Sequence, residues 1–178
     1  MTIKTLCLSA MGTALFVVLT LCLQVPVFEI YYLCLGYVIM MIYCYYFSLG
    51  SSMIVGTFGV VLYCLLISGL RGMPGWVFGN LVITLAVSLS CKYTAGLKNK
   101  GIRSLIILSI MIGSTAAGIL GLKSLVEMIL YAQPYWLRVA KNLNAFIADI
   151  VVMAVSIPIC EKLEGTIRKL FPNEIATA

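Results

Sequence analysis

The chain has 178 residues, of which 62% are hydrophobic and only 10% are charged, and its formal net charge is +6. In ordinary soluble domains about a quarter of the residues are charged. The composition therefore excludes that class and predicts an integral membrane protein. The sequence contains no histidine and its seven cysteines form no CxxC pair, which removes the usual zinc sites and the Ser/His and Cys/His catalytic pairs.

Six apolar segments follow one another along the chain. Between Glu29 and Arg71 no side chain is charged, and a helix needs roughly twenty mostly apolar residues to cross a bilayer. Apolar windows and turn residues place the segments at about 3–24, 31–48, 51–69, 75–92, 102–122 and 139–160. We predict an all-α integral membrane protein, a single bundle of six transmembrane helices in one domain over residues 1–178.

The distribution of lysine and arginine predicts how the protein is oriented in the membrane, because connections rich in these residues stay preferentially on the cytoplasmic side. With cytoplasmic N- and C-termini, eight basic residues lie inside and four outside. The inner ones are Lys4, Lys92, Lys98, Lys100, Arg103, Lys162, Arg168 and Lys169, and the outer ones are Arg71, Lys123, Arg138 and Lys141. Orientation thus accounts for the net charge, and the spread of the basic residues gives no reason to expect a nucleic-acid partner.

In the first segment, Ala10 and Ala14 stand four residues apart on one helix face. Small residues at this spacing let another helix approach closely in lipid. The stripe is either a docking face for a partner membrane protein or a packing contact within the bundle. Gly113, Ala117 and Gly121 repeat the pattern in the fifth segment, and spacing alone favours packing.

The stretch from Arg71 to Asn80 contains a Gly/Pro turn followed by the start of the fourth segment. Trp76 and Asn80 fall four apart and share a helix face. An amide inside a spanning segment needs a partner, which is a neighbouring helix or a ligand, and Asn80 lies the deeper of the two. Trp76 is a ligand contact or a headgroup anchor.

At the start of the last segment, Arg138, Asn142 and Asp149 line one stripe. Asp149 is the only acid well inside an apolar segment, and such residues face the bundle interior or a wet cavity. The stripe is a structural polar pair, or, with Asn80 across from it, a polar pocket open to the outside.

The connection from Gly121 to Lys141 mixes charged and aromatic residues. We predict a long, partly helical outer connection, serving as a binding loop or as a headgroup anchor. Tyr32 and Tyr37 lie near the outer mouth of the second segment and either stack on a ligand or belong to the aromatic belt.

Together these features resemble the substrate-binding S components of energy-coupling factor (ECF) vitamin importers, small six-helix membrane proteins with basic inner connections. The Ala10 and Ala14 pair is similar to the AxxxA motif by which that family docks on its transmembrane coupling subunit. The resemblance covers essentially the whole chain, with the alanine pair as its one motif.

The resemblance implies a multi-pass protein of a prokaryotic cell membrane that binds a small vitamin from outside and releases it inside by toppling against the coupling subunit. Two separate ATPase subunits would hydrolyse ATP, and this chain itself would hold no cofactor and no metal. It also implies a vitamin-binding pocket on the outer side, closed by the first and fifth connections. The residues that the sequence itself offers for this site are Tyr32, Tyr37, Arg71, Trp76, Asn80, Arg138, Asn142 and Asp149.

Arg71, Arg138 and Lys141 at the outer mouth favour an anionic or neutral polar ligand. Pantothenate is the first expectation, followed by pyridoxine or hydroxymethylpyrimidine, with folate and riboflavin as larger alternatives. A self-sufficient permease or channel is the competing class, although no duplication relates residues 1–90 to 91–178. A membrane enzyme is not expected, because the usual catalytic sets cannot be assembled from these residues.

Overall fold

The computed structural model describes residues 3–22, 25–28, 31–68, 73–97 and 99–171, and for 25–28, 31 and 32 it describes the backbone. Arg71 and Lys98 fall outside the described residues. The sequence analysis placed Arg71 on the outer side of the membrane and Lys98 on the cytoplasmic side.

Helices dominate the described part of the chain. They are α1 (Ile3–Cys22), α2 (Gly36–Tyr46), α3 (Leu49–Tyr63), α4 (Met73–Tyr93), α5 (Lys100–Thr115), α6 (Ser124–Tyr131) and α7 (Tyr135–Leu170). Two π-helical segments continue the α-helices, Cys64–Ser68 after α3 and Ala116–Lys123 between α5 and α6. Two short strands, β1 (Val25–Phe28) and β2 (Tyr31–Leu33), form an antiparallel hairpin.

Five helical stretches are long and apolar enough to cross a bilayer, and α2 is shorter. The five are Ile3–Cys22, Leu49–Ile67, Met73–Tyr93, Lys100–Tyr131 and Tyr135–Leu170. Their outward faces carry large apolar side chains, among them Leu6, Phe58 and Leu105, with 57%, 58% and 65% of their surface exposed. Such faces suit lipid rather than water. The prediction of a helical integral membrane protein is confirmed.

The second crossing differs from the predicted helix at 31–48. Residues 31–33 belong to the hairpin, and α2 begins only at Gly36. The β-branched and aromatic run before Gly36 favours a strand. The hairpin packs against α7 at the same end of the bundle as the start of α2.

The region predicted as a long outer connection is mostly helix. From Lys100 to Tyr131 the chain is continuously helical, and α7 begins at Tyr135, so only residues 132–134 are non-helical. Ala132 ends α6 in the left-handed conformation, with φ 49°. The apolar window ended near residue 122 because charged residues interrupt it, yet these residues lie on a helix that continues.

Close approaches between helices are made at glycines. A Cβ atom added to Gly118 would lie 2.6 Å from the Gly79 carbonyl oxygen, and one added to Gly79 would lie 2.9 Å from the Gly118 oxygen. Glycine is therefore needed on both sides where α4 crosses the Ala116–Lys123 segment. This crossing fixes the start of α4 beside the end of that segment.

Candidate functional site

A chain of hydrogen bonds joins α2, α3 and α4 near one end of the bundle. The Tyr37 hydroxyl donates to Asn80 Oδ1 over 2.7 Å, and Trp76 Nε1–H donates to the Tyr37 hydroxyl over 3.0 Å. Asn80 Nδ2–H donates to the Gly56 carbonyl oxygen over 3.1 Å. The spacing of four between Trp76 and Asn80 puts both side chains on the face of α4 that meets Tyr37.

Asp149 joins this cluster from α7. Its side chain lies in the interior, with 5% of its surface exposed. A buried carboxylate is costly in a membrane unless a cation or donor faces it. Asp149 is therefore the member of this cluster with the greatest need of a polar partner, in the bundle or on a ligand.

Aromatic rings surround the polar groups. Tyr63 packs edge-on against Trp76 with ring centroids 5.5 Å apart, and Phe16 packs edge-on against Tyr37 at 6.1 Å. Lys123 Nζ lies 6.0 Å from the centroid of the Trp76 ring. The cluster thus offers flat apolar surfaces beside a small number of polar groups, the usual make-up of a small-molecule site.

A second polar group lies between α6 and the start of α7. Asn142 Nδ2–H donates to Glu127 Oε2 and to Ser124 Oγ, each over 3.0 Å. The Arg138 guanidinium lies 3.9 Å from Glu127 Oε2 and stacks over the Tyr131 ring at 4.0 Å from its centroid. Arg138 Nε has no hydrogen-bond partner in the described structure.

Gly75, on the first turn of α4, lies between the two polar groups. A Cβ atom added there would lie 3.3 Å from the Lys123 Cγ and 3.4 Å from the Glu127 Cγ. Lys123 and Glu127, four residues apart, therefore both face the first turn of α4. The absence of a side chain at Gly75 lets them approach the residues around Trp76.

The structure thus brings four of the predicted site residues together, namely Tyr37, Trp76, Asn80 and Asp149. It places Arg138 and Asn142 in the neighbouring group, where Asn142 contacts Glu127 rather than Asp149. The side chain of Tyr32 is not described, and Arg71 lies outside the described residues. In this structure the three residues predicted to line an open pocket are enclosed, since Asn80, Asn142 and Asp149 are 0%, 4% and 5% exposed.

Sequence reasoning missed Lys123, Glu127 and Tyr63 as members of the site. The available signal was the pair Lys123 and Glu127, opposite charges at helical spacing beside an apolar window. Reading this stretch as a connection concealed that both side chains could face inward.

The predicted docking pair lies on the outer surface of α1. Ala10 and Ala14 are exposed, whereas Ser9 and Thr13 are buried and donate to the carbonyl oxygens of Thr5 and Ser9. The alanine face is therefore not used for packing within the described bundle.

Comparison with known proteins identifies one related family. A family model described as "ECF-type riboflavin transporter, S component" matches residues 1–164. No curated protein and no solved structure matches the chain.

Proposed function

The chain belongs to the family of ECF-type riboflavin transporter S components, and from that premise we propose that it binds riboflavin at the cluster around Tyr37, Trp76, Asn80 and Asp149. The family makes it a substrate-binding subunit of an ECF transporter and a multi-pass membrane protein. The observation that carries the proposal is the buried Asn80 amide beside the Trp76 ring.

Riboflavin combines a flat tricyclic ring system with an imide edge and a polyhydroxylated chain. Trp76 and Tyr63 offer faces on which the rings can stack. The Asn80 amide has two donors and two acceptor lone pairs, of which one N–H and one lone pair are used within the bundle. The remaining N–H and lone pair match the alternating acceptors and donor of an imide.

This proposal replaces pantothenate, pyridoxine and hydroxymethylpyrimidine as the expected ligand. Pantothenate was favoured because of the outer cations Arg71, Arg138 and Lys141, but the Arg138 guanidinium lies 3.9 Å from Glu127 Oε2. Pantothenate is a carboxylate without an aromatic ring, so it would use neither a cation that already has an acid beside it nor the aromatic faces.

We further propose that the end with the site faces the outside and that both termini are cytoplasmic. The described basic residues Lys4, Lys92, Lys100 and Arg103 lie at the opposite end, at the start of α1, the end of α4 and the start of α5. This arrangement fits the preference of basic residues for the cytoplasmic side.

S components work with an ECF module of coupling and ATPase subunits. We propose that this chain docks on a transmembrane coupling subunit through the face carrying Ala10 and Ala14, and that two ATPases on partner chains supply the energy. A self-sufficient permease is the alternative, and cells that lack the module distinguish the two, because a permease would still take up the vitamin.

The ligand is tested by titrating the purified chain in detergent with riboflavin, pantothenate, pyridoxine and hydroxymethylpyrimidine in separate calorimetric experiments. Stacking on Trp76 should also quench its fluorescence when riboflavin is added. Tight binding of riboflavin alone supports the proposal. Tighter binding of any of the other three would overturn it.

A further inference from the structure

An apolar groove lies on the surface of the bundle, at the end opposite Trp76. Its volume is about 250 Å³, and it is lined by Lys4, Cys7, Leu8 and Met11 of α1 and by Phe171, the residue that follows α7. We refer to it as the α1–α7 groove. Met11 is 61% exposed, and Lys4 and Cys7 are exposed as well, so the described residues leave the groove open to its surroundings.

Contacts behind the α1–α7 groove hold its two walls together. The Tyr43 hydroxyl donates to the Leu8 carbonyl oxygen over 2.6 Å. The centroid of the Phe47 ring lies 4.7 Å from that of Tyr43 and 5.8 Å from that of Phe171. Gly12 is required for this arrangement, because an added Cβ atom would overlap the Tyr43 ring. The groove is therefore a preformed feature of the bundle.

The α1–α7 groove runs from the membrane surface into the acyl-chain layer. The 20 residues of α1 extend about 30 Å, which matches the thickness of the hydrocarbon layer. Lys4, the second residue of α1, therefore lies at the level of the lipid headgroups. Met11 comes seven residues later and lies roughly 10 Å deeper. A phospholipid has the same order, with its phosphate at the surface and its acyl chains below.

The mouth of the α1–α7 groove carries positive charge. Among the described residues Lys4 forms no ion pair. Arg168 and Lys169 lie in the last turn of α7, just before Phe171, and Arg168 pairs with Glu164 over 3.1 Å. Basic pockets between transmembrane helices bind anionic lipid headgroups. The charge at this mouth thus complements a phosphate.

We propose that the α1–α7 groove binds one anionic phospholipid, with an acyl chain against Cys7, Leu8 and Met11 and the headgroup phosphate on Lys4. The chain supplies the van der Waals contacts that an empty groove would lack. The phosphate supplies the charge that matches the lysine. A helix of a partner protein would fill the apolar part equally well, but it gives no account of a cation at headgroup depth. This inference does not depend on the identity of the vitamin.

The test titrates the purified full chain, without any partner, in detergent with dioleoyl phosphatidylglycerol or dioleoyl phosphatidylcholine. The two lipids have the same acyl chains and differ in net charge, and native mass spectrometry counts the molecules retained. We expect one phosphatidylglycerol to bind about fivefold more tightly than phosphatidylcholine, which corresponds to the roughly 1 kcal/mol that one lysine contributes beside anionic lipid. Equal affinities would overturn the proposal.

Two substitutions separate the headgroup contact from the acyl-chain contact. Lys4→Gln should bring the ratio of the two dissociation constants close to one and leave phosphatidylcholine binding unchanged. Cys7→Phe places a ring in the groove and should weaken the binding of both lipids several-fold. Because Lys4 is exposed, Lys4→Gln gives an answer even if Cys7→Phe does not fold.

Each substitution has a matched control. Lys100→Gln removes an exposed cation at the start of α5, at the same end of the bundle. Cys22→Phe enlarges the exposed cysteine at the other end of α1. Both variants should bind the two lipids as the wild type does.

Other occupants of the groove would give other results, and each of them overturns the proposal. A second copy of the chain would appear as a dimer that Cys7→Phe dissociates. A partner helix would show itself if Cys7→Phe prevented co-purification with the ECF module while lipid binding stayed unchanged. Residues 172–178 would be the occupant if a chain ending at Phe171 bound the lipid and the full chain did not.

Discussion

At the scale of single residues, Asn80 uses both ends of its amide to connect three helices. It accepts from Tyr37 and donates to Gly56, and its side chain is fully buried. Asn80→Leu should weaken riboflavin binding by about 1–3 kcal/mol, because a ligand group would lose its partner and the Tyr37 hydroxyl would lose the acceptor of its proton. Calorimetric titration measures the change.

Ser88→Ala is the matched control for Asn80→Leu. Ser88 lies two turns deeper on the same face of α4, and its buried hydroxyl has no hydrogen-bond partner in the described structure. Its removal should leave the affinity unchanged. Equal affinity of Asn80→Leu and wild type would place the flavin site elsewhere.

Among the residues that the structure describes, Ala132 is the one non-glycine residue with a positive φ. Its φ of 49° lies in the left-handed region, which costs a residue with a Cβ atom roughly 1–2 kcal/mol. Ala132→Gly should raise the free energy of unfolding by about 1 kcal/mol, which is less than the full cost because glycine loses more entropy on folding. The midpoint of thermal unfolding in detergent reports the change.

Ala140→Gly provides the contrast for Ala132→Gly, because Ala140 is an exposed residue inside α7. The same substitution there should lower stability by about 1 kcal/mol. Shifts of the same sign in both variants would argue against strain at Ala132.

At the scale of elements, the crossing of α4 with the Ala116–Lys123 segment sets the distance between Trp76 and Lys123. Gly118→Ala would bring a Cβ atom to 2.6 Å from the Gly79 carbonyl oxygen, so the two elements must separate. We expect a loss of about 1–3 kcal/mol of stability from overpacking and weaker riboflavin binding.

Gly113→Ala is the control for the crossing, because an added Cβ atom there meets nothing within 4 Å. It should preserve binding and increase stability slightly through its higher helix propensity. Wild-type stability and affinity in Gly118→Ala would contradict the role given to this crossing.

The sequence predicted part of the site because helical spacing holds wherever a helix exists. Trp76 and Asn80 share a face of α4 as expected, and Asp149 faces the interior as an intramembrane acid should. Glu127 and Lys123 could not be placed this way, because their charges end the apolar window. Only the structure shows that Glu127 faces Arg138 on the next helix. The hairpin before Gly36 was hidden for a related reason, because an apolar aromatic run suits a strand as well as a helix.

At the scale of the whole molecule, one face of α1 is available to a partner. Ala10 and Ala14 are exposed there, beside exposed Leu6 and Met11. Replacing both alanines with tryptophan should abolish riboflavin uptake by cells that contain the ECF module and leave riboflavin binding by the purified chain intact, because the bulky rings prevent close helix contact.

Leu105→Trp is the control for the alanine substitutions, since Leu105 is 65% exposed on α5, another outer face. It should support normal uptake. Persistent uptake in the double alanine variant would show that the partner docks on a different face.

The length of α7 has a mechanical consequence. Its 36 residues extend about 54 Å, whereas the hydrocarbon layer is about 30 Å thick. The part that carries Glu164 and Arg168 therefore extends past this layer, yet its end is held to the bundle, because Ile167 is buried and the Phe171 ring lies edge-on to Phe47 with centroids 5.8 Å apart. Any reorientation of the bundle would therefore carry this end of α7 with it, and a spin label at Lys169 would report the movement.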